Sequence, residues 1–286
     1  MLTVNELFSG IGTQSLALKY LGFPFKVVGI SEIDKFAIQA YTALHGETRN
    51  YGDISKIDKL DYADLWTYSS PCQDMSSAGK GRGLKVIDEN GNEVITRSGL
   101  LFEVERLLAK SCGFDILNGE LIKNENYEVN PPKYLLLENV SELLKFKKHN
   151  VYFYKWLERL EELGYNSYYA ILNAKHFGIP QNRERVFTIS ILGNEYYEFP
   201  KGCNCYNKIK VIGNYMPSGH ESSRIVDENG LAPTVKENHG TVTAVLQRFE
   251  FPPKQELRLK LKDMLEDEVD EKYYLSDKLA REVVYE

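Results

Sequence analysis

From residue 2 to residue 192, short apolar runs of strand length alternate with segments whose apolar residues recur at helical spacing, and few architectures accept that alternation. The strand candidates are residues 2–8, 25–30, 63–68, 133–137, 168–173 and 186–192, and the helix candidates are 14–21, 35–45, 99–110 and 152–163. Strands joined through helices pair in parallel, because the crossover returns the chain to the same end of the sheet. The run Tyr134-Leu135-Leu136-Leu137 shows no polar alternation, as expected of a strand covered on both faces. The chain therefore reads as α/β, a doubly wound, mostly parallel sheet of Rossmann-like form over residues 1–195. A smaller C-terminal region over 196–286 follows. Residues 86–96 read as a hairpin or excursion, and 111–132 as polar and irregular.

In an open sheet of this kind, ligands bind outside the carboxyl ends of the strands. The first strand candidate runs into Phe8-Ser9-Gly10-Ile11-Gly12, a glycine turn that opens a helix, where backbone can approach a ligand and free N–H groups are available. The second ends at Ser31-Glu32-Ile33, which places a carboxylate about 20 residues past the glycines, the spacing at which such folds bind a ribose hydroxyl pair. The third delivers Ser69-Ser70-Pro71-Cys72, a thiol where a buried segment gives way to a polar loop. A free cysteine alone is more often a small buried hydrophobe than a nucleophile. Glu138 follows the fourth strand, and Arg183 and Arg185 lie in the loop before the last.

At 286 residues and 43% hydrophobic, the chain is long enough for one large domain and an appendage. No stretch is long and apolar enough to cross a bilayer, and the first residues lack signal-peptide character, so a cytoplasmic location without membrane contact is expected. The four cysteines show no spacing typical of a disulfide framework or a metal site. A net charge of -6 argues mildly against nucleic acid. The acid is concentrated in residues 266–271, however, whereas Lys80, Arg82, Lys85 and Arg97 flank the Cys72 loop, leaving room for a local basic cleft.

In Phe8-Ser9-Gly10-Ile11-Gly12, Pro71-Cys72-Gln73, Glu138-Asn139-Val140 and Gln181-Asn182-Arg183-Glu184-Arg185, taken in order, the chain resembles the DNA (cytosine-5) methyltransferases of bacterial or phage type over residues 1–192. The resemblance implies a methyltransferase dependent on S-adenosyl-L-methionine, with no metal, acting on double-stranded DNA within a restriction-modification or phage setting. It places Phe8 against the adenine, Glu32 on the ribose hydroxyls and Asp53 near the adenine amino group. Ser9, Gly10, Gly12, Ile33, Ile54, Pro71 and Leu100 complete the cofactor pocket. Cys72 would add to carbon 6 of a flipped-out cytosine, Glu138 would protonate or hydrogen-bond ring nitrogen 3, Arg185 would lie near the base carbonyl, and Arg183 would support the cysteine and phosphate region. The same chemistry on tRNA is an alternative, and a catalytically incompetent or split-subunit DNA-binding protein is another.

That second alternative arises because the family's final motif, which closes the cofactor pocket, has no counterpart in the sequence. Residues 212–217 match it only superficially and lie too early. Residues 231–238 read as part of a target-recognition region rather than a penultimate motif. Glu198-Phe199-Pro200-Lys201 is nearly repeated as Glu250-Phe251-Pro252-Pro253-Lys254, which suggests an insertion or relocation between the copies, or a chance match. A second subunit supplying the closing motif is the resulting expectation.

Overall fold

The computed structural model describes residues 1–71, 85–87, 93–95, 100–203, 209–214, 224–227, 230–234 and 244–246. Six strands make the main sheet: β1 (Leu2–Leu7), β2 (Phe25–Ser31), β3 (Leu65–Tyr68), β8 (Tyr134–Val140), β9 (Tyr165–Asn173) and β10 (Glu184–Leu192). Their spatial order is β2-β1-β3-β8-β10-β9. β1 pairs in parallel with β2 and β3, and β3 with β8, whereas β10 runs antiparallel between β8 and β9. The helices are α1 (Thr13–Tyr20), α2 (Lys35–His45), α3 (Leu101–Ser111), α4 (Glu142–Lys145) and α5 (Lys147–Glu162). This is the mostly parallel α/β architecture expected from the alternation of strands and helices.

Register decides which side chain faces which helix. Leu7, Tyr68 and Leu137 stand opposite one another across β1, β3 and β8. All three belong to the core cluster with Val104 and Leu108 of α3 and Phe153, Trp156 and Leu160 of α5. The Trp156 indole N–H donates to the Tyr68 hydroxyl at 3.2 Å, with the two rings edge to face. One residue back, Glu6, Thr67 and Leu136 form the next row and face the opposite way. Glu6 bonds to Ser15 of α1 and Tyr41 of α2, so those helices cover the second face. The parallel part of the sheet is thus covered on both sides.

Three features depart from the sequence reading. Residues 111–132 contain an antiparallel hairpin, β6 (Phe114–Leu117) and β7 (Glu120–Lys123), turned by Asn118 at φ 53 and Gly119 at φ 84. Positive φ at both turn residues is the geometry that Asn-Gly accepts and that suits the twist of a tight hairpin. The alternation of so short a segment was hidden by its polar flanks. Cys203 is disulfide-bonded, a pairing that spacing alone did not signal because bond formation depends on Cα separation in the fold. The helix expected at 152–163 begins earlier, at Lys147.

β4 (Lys85–Ile87) pairs antiparallel with β5 (Glu93–Ile95). β11 (Val211–Asn214), β12 (Arg224–Asp227) and β13 (Ala244–Leu246) form a separate three-stranded sheet. By its contacts the chain divides into Met1–Val245 and Leu246–Glu286, and the latter lies almost wholly outside the described residues. Among the described residues, no helix is long and apolar enough to cross a membrane.

Arg159 of α5 joins three elements. Its Nε donates to Glu105 of α3 at 2.7 Å, and its guanidinium also bonds Glu162 and the Gly119 carbonyl in the hairpin turn. Both members of the Arg159–Glu105 pair are mostly buried, at 14% and 15% exposed. Arg159→Ala strands a carboxylate without its cation and should lower unfolding stability by about 3 kcal/mol, read as a fall in the urea midpoint.

Candidate active site

β1, in the middle of the parallel part of the sheet, is followed by a connection to one side (β2), and β2 by a connection that crosses to the other (β3). The carboxyl ends of β1 and β3 therefore flank the point where strand order reverses, and a crevice opens there. Among the described residues singled out from the sequence, the glycine loop, Glu32, Pro71 and Glu138 lie at these strand ends.

The chain leaves β1 through Phe8 at φ 56, Gly10 at φ 53 and Gly12 at φ 75. A non-glycine residue in the left-handed region costs on the order of 1–3 kcal/mol, so Phe8 is held there by its surroundings. Its ring packs against the core cluster. The Ser9 N–H donates to the Ser31 carbonyl at 3.2 Å, and the Gly12 N–H donates to the Ser9 carbonyl at 2.8 Å. The Gly10 N–H donates to Glu32 Oε2 at 2.8 Å, while Glu32 Oε1 accepts from the Ile33 and Asp34 N–H groups at 2.8 and 2.9 Å. A carboxylate has about four acceptor positions, so one remains for an incoming hydroxyl.

Three observations bear on what this loop can hold. Nothing lies within 4 Å of where a Gly10 Cβ would be. Ser9 Oγ is buried without a partner. Ile33, beside Glu32, is 73% exposed. An open backbone face, an orphaned hydroxyl, a carboxylate with spare capacity and a bare apolar side chain together fit an adenosine-type cofactor. Asp53 lies near the end of β2, through the Ser31 hydroxyl bond to the Gly52 carbonyl at 2.7 Å. Hydrogen bonds from the Ser55 hydroxyl and N–H hold its carboxyl below the usual carboxylate range, so it stands as an ionised acceptor. The Ile54 side chain is buried in the core cluster, and Leu100 packs against that cluster half-buried.

The second half of the crevice lies at the ends of β3 and β8. The Gln14 side-chain amide of α1 donates to Ser69 Oγ at 3.3 Å. The Asn139 amide donates to the Ser70 carbonyl at 3.2 Å and to Ser70 Oγ at 3.4 Å, and Asn139 Oδ1 accepts from the Val140 N–H at 2.8 Å. Asn139 and Ser70 are both buried. The chain is thus clasped from two sides immediately before Pro71. Cys72 lies outside the described residues. Glu138 precedes the clasping asparagine, on the opposite face of β8, and Arg185 of β10 reaches its Oε1 through Nε at 3.1 Å. The pairing follows from register: Glu138 stands opposite Phe187, and Arg185 is that residue's same-face neighbour two positions away.

Arg183 enters β10 with its backbone fixed, its N–H donating to Asn173 Oδ1 at 3.1 Å and its carbonyl accepting from Ala174 at 3.0 Å. The preceding loop is also bridged to the C-terminal region. The Asn182 N–H donates to the Ala232 carbonyl, the Ala232 N–H donates to the Pro180 carbonyl, both at 2.8 Å, and the Thr234 hydroxyl donates to the Asn182 carbonyl at 2.5 Å. Residues 231–234 therefore border the paired-arginine loop, a juxtaposition with no sequence signal. Sequence reasoning also passed over Gln14 and Asn139 as individual site residues. Asn139 had a signal, a polar side chain continuing an apolar run.

Among the described residues, no group of His, Cys, Asp or Glu side chains is placed to hold a metal ion. A cleft of about 180 Å³ lined by Tyr62, Trp66, Lys110 and Tyr127 lies at the amino end of the strands and contains none of the site residues expected from the sequence. Chemistry decides in favour of the carboxyl-end crevice. Cys112, a free cysteine, sits at the end of α3 with its thiol pushed up to about 11 by burial. It stays protonated at neutral pH and is no nucleophile. Iodoacetamide at pH 7.5 should leave Cys112 unmodified in the folded chain, with labelling appearing only as pH approaches that value, by peptide mass mapping.

The sequence pattern of the C-5 cytosine-specific DNA methylases matches residues 2–284. Type II methyltransferase M2.ScrFI of Lactococcus lactis subsp. cremoris is 36% identical, over 71% of this chain and 65% of its own length. Orphan methyltransferase M.Rho11sI of Bacillus phage rho11s is 30% identical, over 99% of this chain and 47% of its own. Orphan methyltransferase M.SPRI of Bacillus phage SPR is 32% identical, over 100% and 54%. The chain thus spans roughly half to two thirds of the length of these relatives. Among solved structures, the Entamoeba histolytica methyltransferase EhMeth matches with a TM-score of 0.58 at 16% identity, over 89% of this chain and 79% of that one. A Spodoptera frugiperda DNMT2 mutant matches with a TM-score of 0.50 at 18% identity, over 99% and 65%. Both likenesses concern the fold.

Proposed function

The chain belongs to the C-5 cytosine-specific DNA methylases, and from that membership we propose that it is a DNA (cytosine-5) methyltransferase, methylating a cytosine flipped out of double-stranded DNA. The observation that carries the reading is the pair of contacts at the ends of β3 and β8. Asn139 clasps Ser70, two residues before Cys72, while Arg185 holds Glu138 on the adjoining residue of the same strand. A nucleophile and an acid for one base need to arrive together at one end of one sheet. The relatives are named as type II and orphan methyltransferases, and a modification role in the cytoplasm is the corresponding proposal here. Residues 1–195 would form the catalytic domain and 196–286 a target-recognition region.

When bound, S-adenosyl-L-methionine supplies an electrophilic methyl group. Phe8, Ser9, Gly10, Gly12, Glu32, Ile33, Asp53, Ile54, Pro71 and Leu100 would bind and orient it. Carbon 5 of cytosine is a weak nucleophile while the ring is aromatic, so the Cys72 thiolate adds at carbon 6 and pushes electron density to carbon 5. Glu138 would supply a proton to ring nitrogen 3 as the thiolate adds, so that the charge created there is taken up by the carboxyl group. Arg185, which bonds Glu138, would lie near the base carbonyl, and Arg183 would support the cysteine and phosphate region. After methylation, solvent water accepts the carbon 5 proton, the electron pair left behind forms the carbon 5–carbon 6 double bond and expels Cys72 as thiolate, and the nitrogen 3 proton returns to Glu138, restoring the ring. Flipping the base costs a few kcal/mol, repaid by contacts in the crevice.

Duplex DNA containing 5-fluorocytosine should trap the wild-type chain covalently, because fluorine does not leave as a proton. Cys72→Ala should abolish both the adduct and methyl transfer while retaining cofactor binding. Methyl incorporation into tRNA but not into duplex DNA would reassign the substrate, and turnover without a Cys72-dependent adduct would remove the covalent mechanism. Glu138→Gln should fold and bind cofactor normally yet lose about 10² to 10⁴ in rate, since an amide supplies no proton to nitrogen 3. An unchanged rate would return Glu138 to a structural role.

A further inference from the structure

Behind the glycine loop, on the face covered by α1 and α2, lies a set of side chains that the proposed chemistry does not use. Glu6 of β1 is fully buried. Its Oε1 accepts from the Ser15 N–H of α1 at 3.0 Å, and its Oε2 accepts from the Tyr41 hydroxyl of α2 at 2.5 Å. A carboxylate in such a place is costly unless firmly bonded. Burial and the neighbouring carboxylate push the Tyr41 hydroxyl well above the usual phenol range, which keeps it protonated as the donor. One turn along α2, the His45 ring lies 4.4 Å from that of Tyr41 between centroids. Its Nε2 is 3.0 Å from the Ile11 carbonyl oxygen. A carbonyl only accepts, so Nε2 carries the proton, and Nδ1 is buried without a partner.

Both rings press on the loop itself. A Cβ at Gly12 would lie 2.5 Å from His45 Nε2 and 2.6 Å from Tyr41 Cε2, so the rings occupy the volume that any side chain there would need. The loop is therefore backed by Tyr41 and His45 at Ile11 and Gly12, bonded from the side by Glu32 at Gly10, and open at the Gly10 Cβ position. The backing also bears on Phe8, whose left-handed backbone between Glu6 and Gly10 persists only if both ends are fixed.

We propose that Tyr41 and His45, anchored by Glu6, are positioning residues for cofactor binding: they form a strut that holds the Ser9–Gly12 backbone in the conformation that receives S-adenosyl-L-methionine. The proposal rests on the reading of the glycine loop as the cofactor site. Removing the strut loosens the loop before cofactor arrives, so the ordering cost is met from binding energy and affinity falls.

The test uses calorimetry with S-adenosylhomocysteine and initial-rate kinetics on the full chain. His45→Ala should weaken binding about tenfold, the effect of losing one hydrogen bond to the loop, and raise KM for the cofactor similarly with kcat changed less than about twofold. His45→Gln, whose amide can donate to the same carbonyl, should recover most of the loss, which a merely space-filling role would not predict. Tyr41→Phe keeps the ring against Gly12 and removes only the bond to Glu6, so it carries the test if His45→Ala does not fold. Wild-type affinity in either folded variant, or a fall in kcat at unchanged affinity, overturns the strut. Absence of binding by the wild-type chain overturns the cofactor site itself, and the strut with it.

Discussion

Parallel pairing of β1 with both β2 and β3 is the constraint on which the molecule's chemistry depends. A parallel sheet needs a crossover for every strand, and these crossovers cover both faces, here α1 and α2 on one and α3 and α5 on the other. With both faces closed, a ligand meets the sheet only at an end. The carboxyl ends of β1 and β3 part where strand order reverses, and the glycine loop, Glu32, the Ser69–Pro71 segment and Glu138 lie there together.

Several of the polar residues buried in this sheet brace that end. Asn139 gives its amide to Ser70, Glu6 takes the Ser15 N–H and the Tyr41 hydroxyl, and Thr67 stands in the same row as Glu6. Each bond adds only about 1 kcal/mol net, whereas an unmet buried group loses about 1–3 kcal/mol. Their main effect is therefore on geometry. Any displacement of the loop or of the Ser69–Pro71 segment leaves a buried donor or acceptor unmet, so the crevice resists distortion more than the size of the individual bonds suggests.

Glu32 and Glu138 show how one residue type is set to two tasks. Glu32 is bound by three backbone N–H groups, which fix a carboxylate as an acceptor of further hydroxyls. Glu138 is held by a side chain, Arg185, that can move when a base enters. A backbone-bound group is rigid because the main chain has no rotamers. A group bound by a side chain can exchange partners, as an acid in a proposed proton transfer has to do.

The sequence by itself determined the strand and helix segments of the main sheet, since periodicity and glycine punctuation are local and survive without knowledge of neighbours. Through the ordered motifs around Gly10, Cys72, Glu138 and Arg185 it also pointed to the family to which the chain belongs. It did not disclose the β6–β7 hairpin, whose Asn118-Gly119 turn was legible but whose strands are too short to show a period. Tertiary structure alone decided that β10 lies between β8 and β9, because pairing order is a long-range property. That order lets Arg185 reach Glu138. Only the fold brought Asn139 to Ser70, residue 232 to the paired-arginine loop, and Tyr41 and His45 against Gly12. Each of these contacts joins residues far apart in the chain, and no local pattern records a partner that only packing selects.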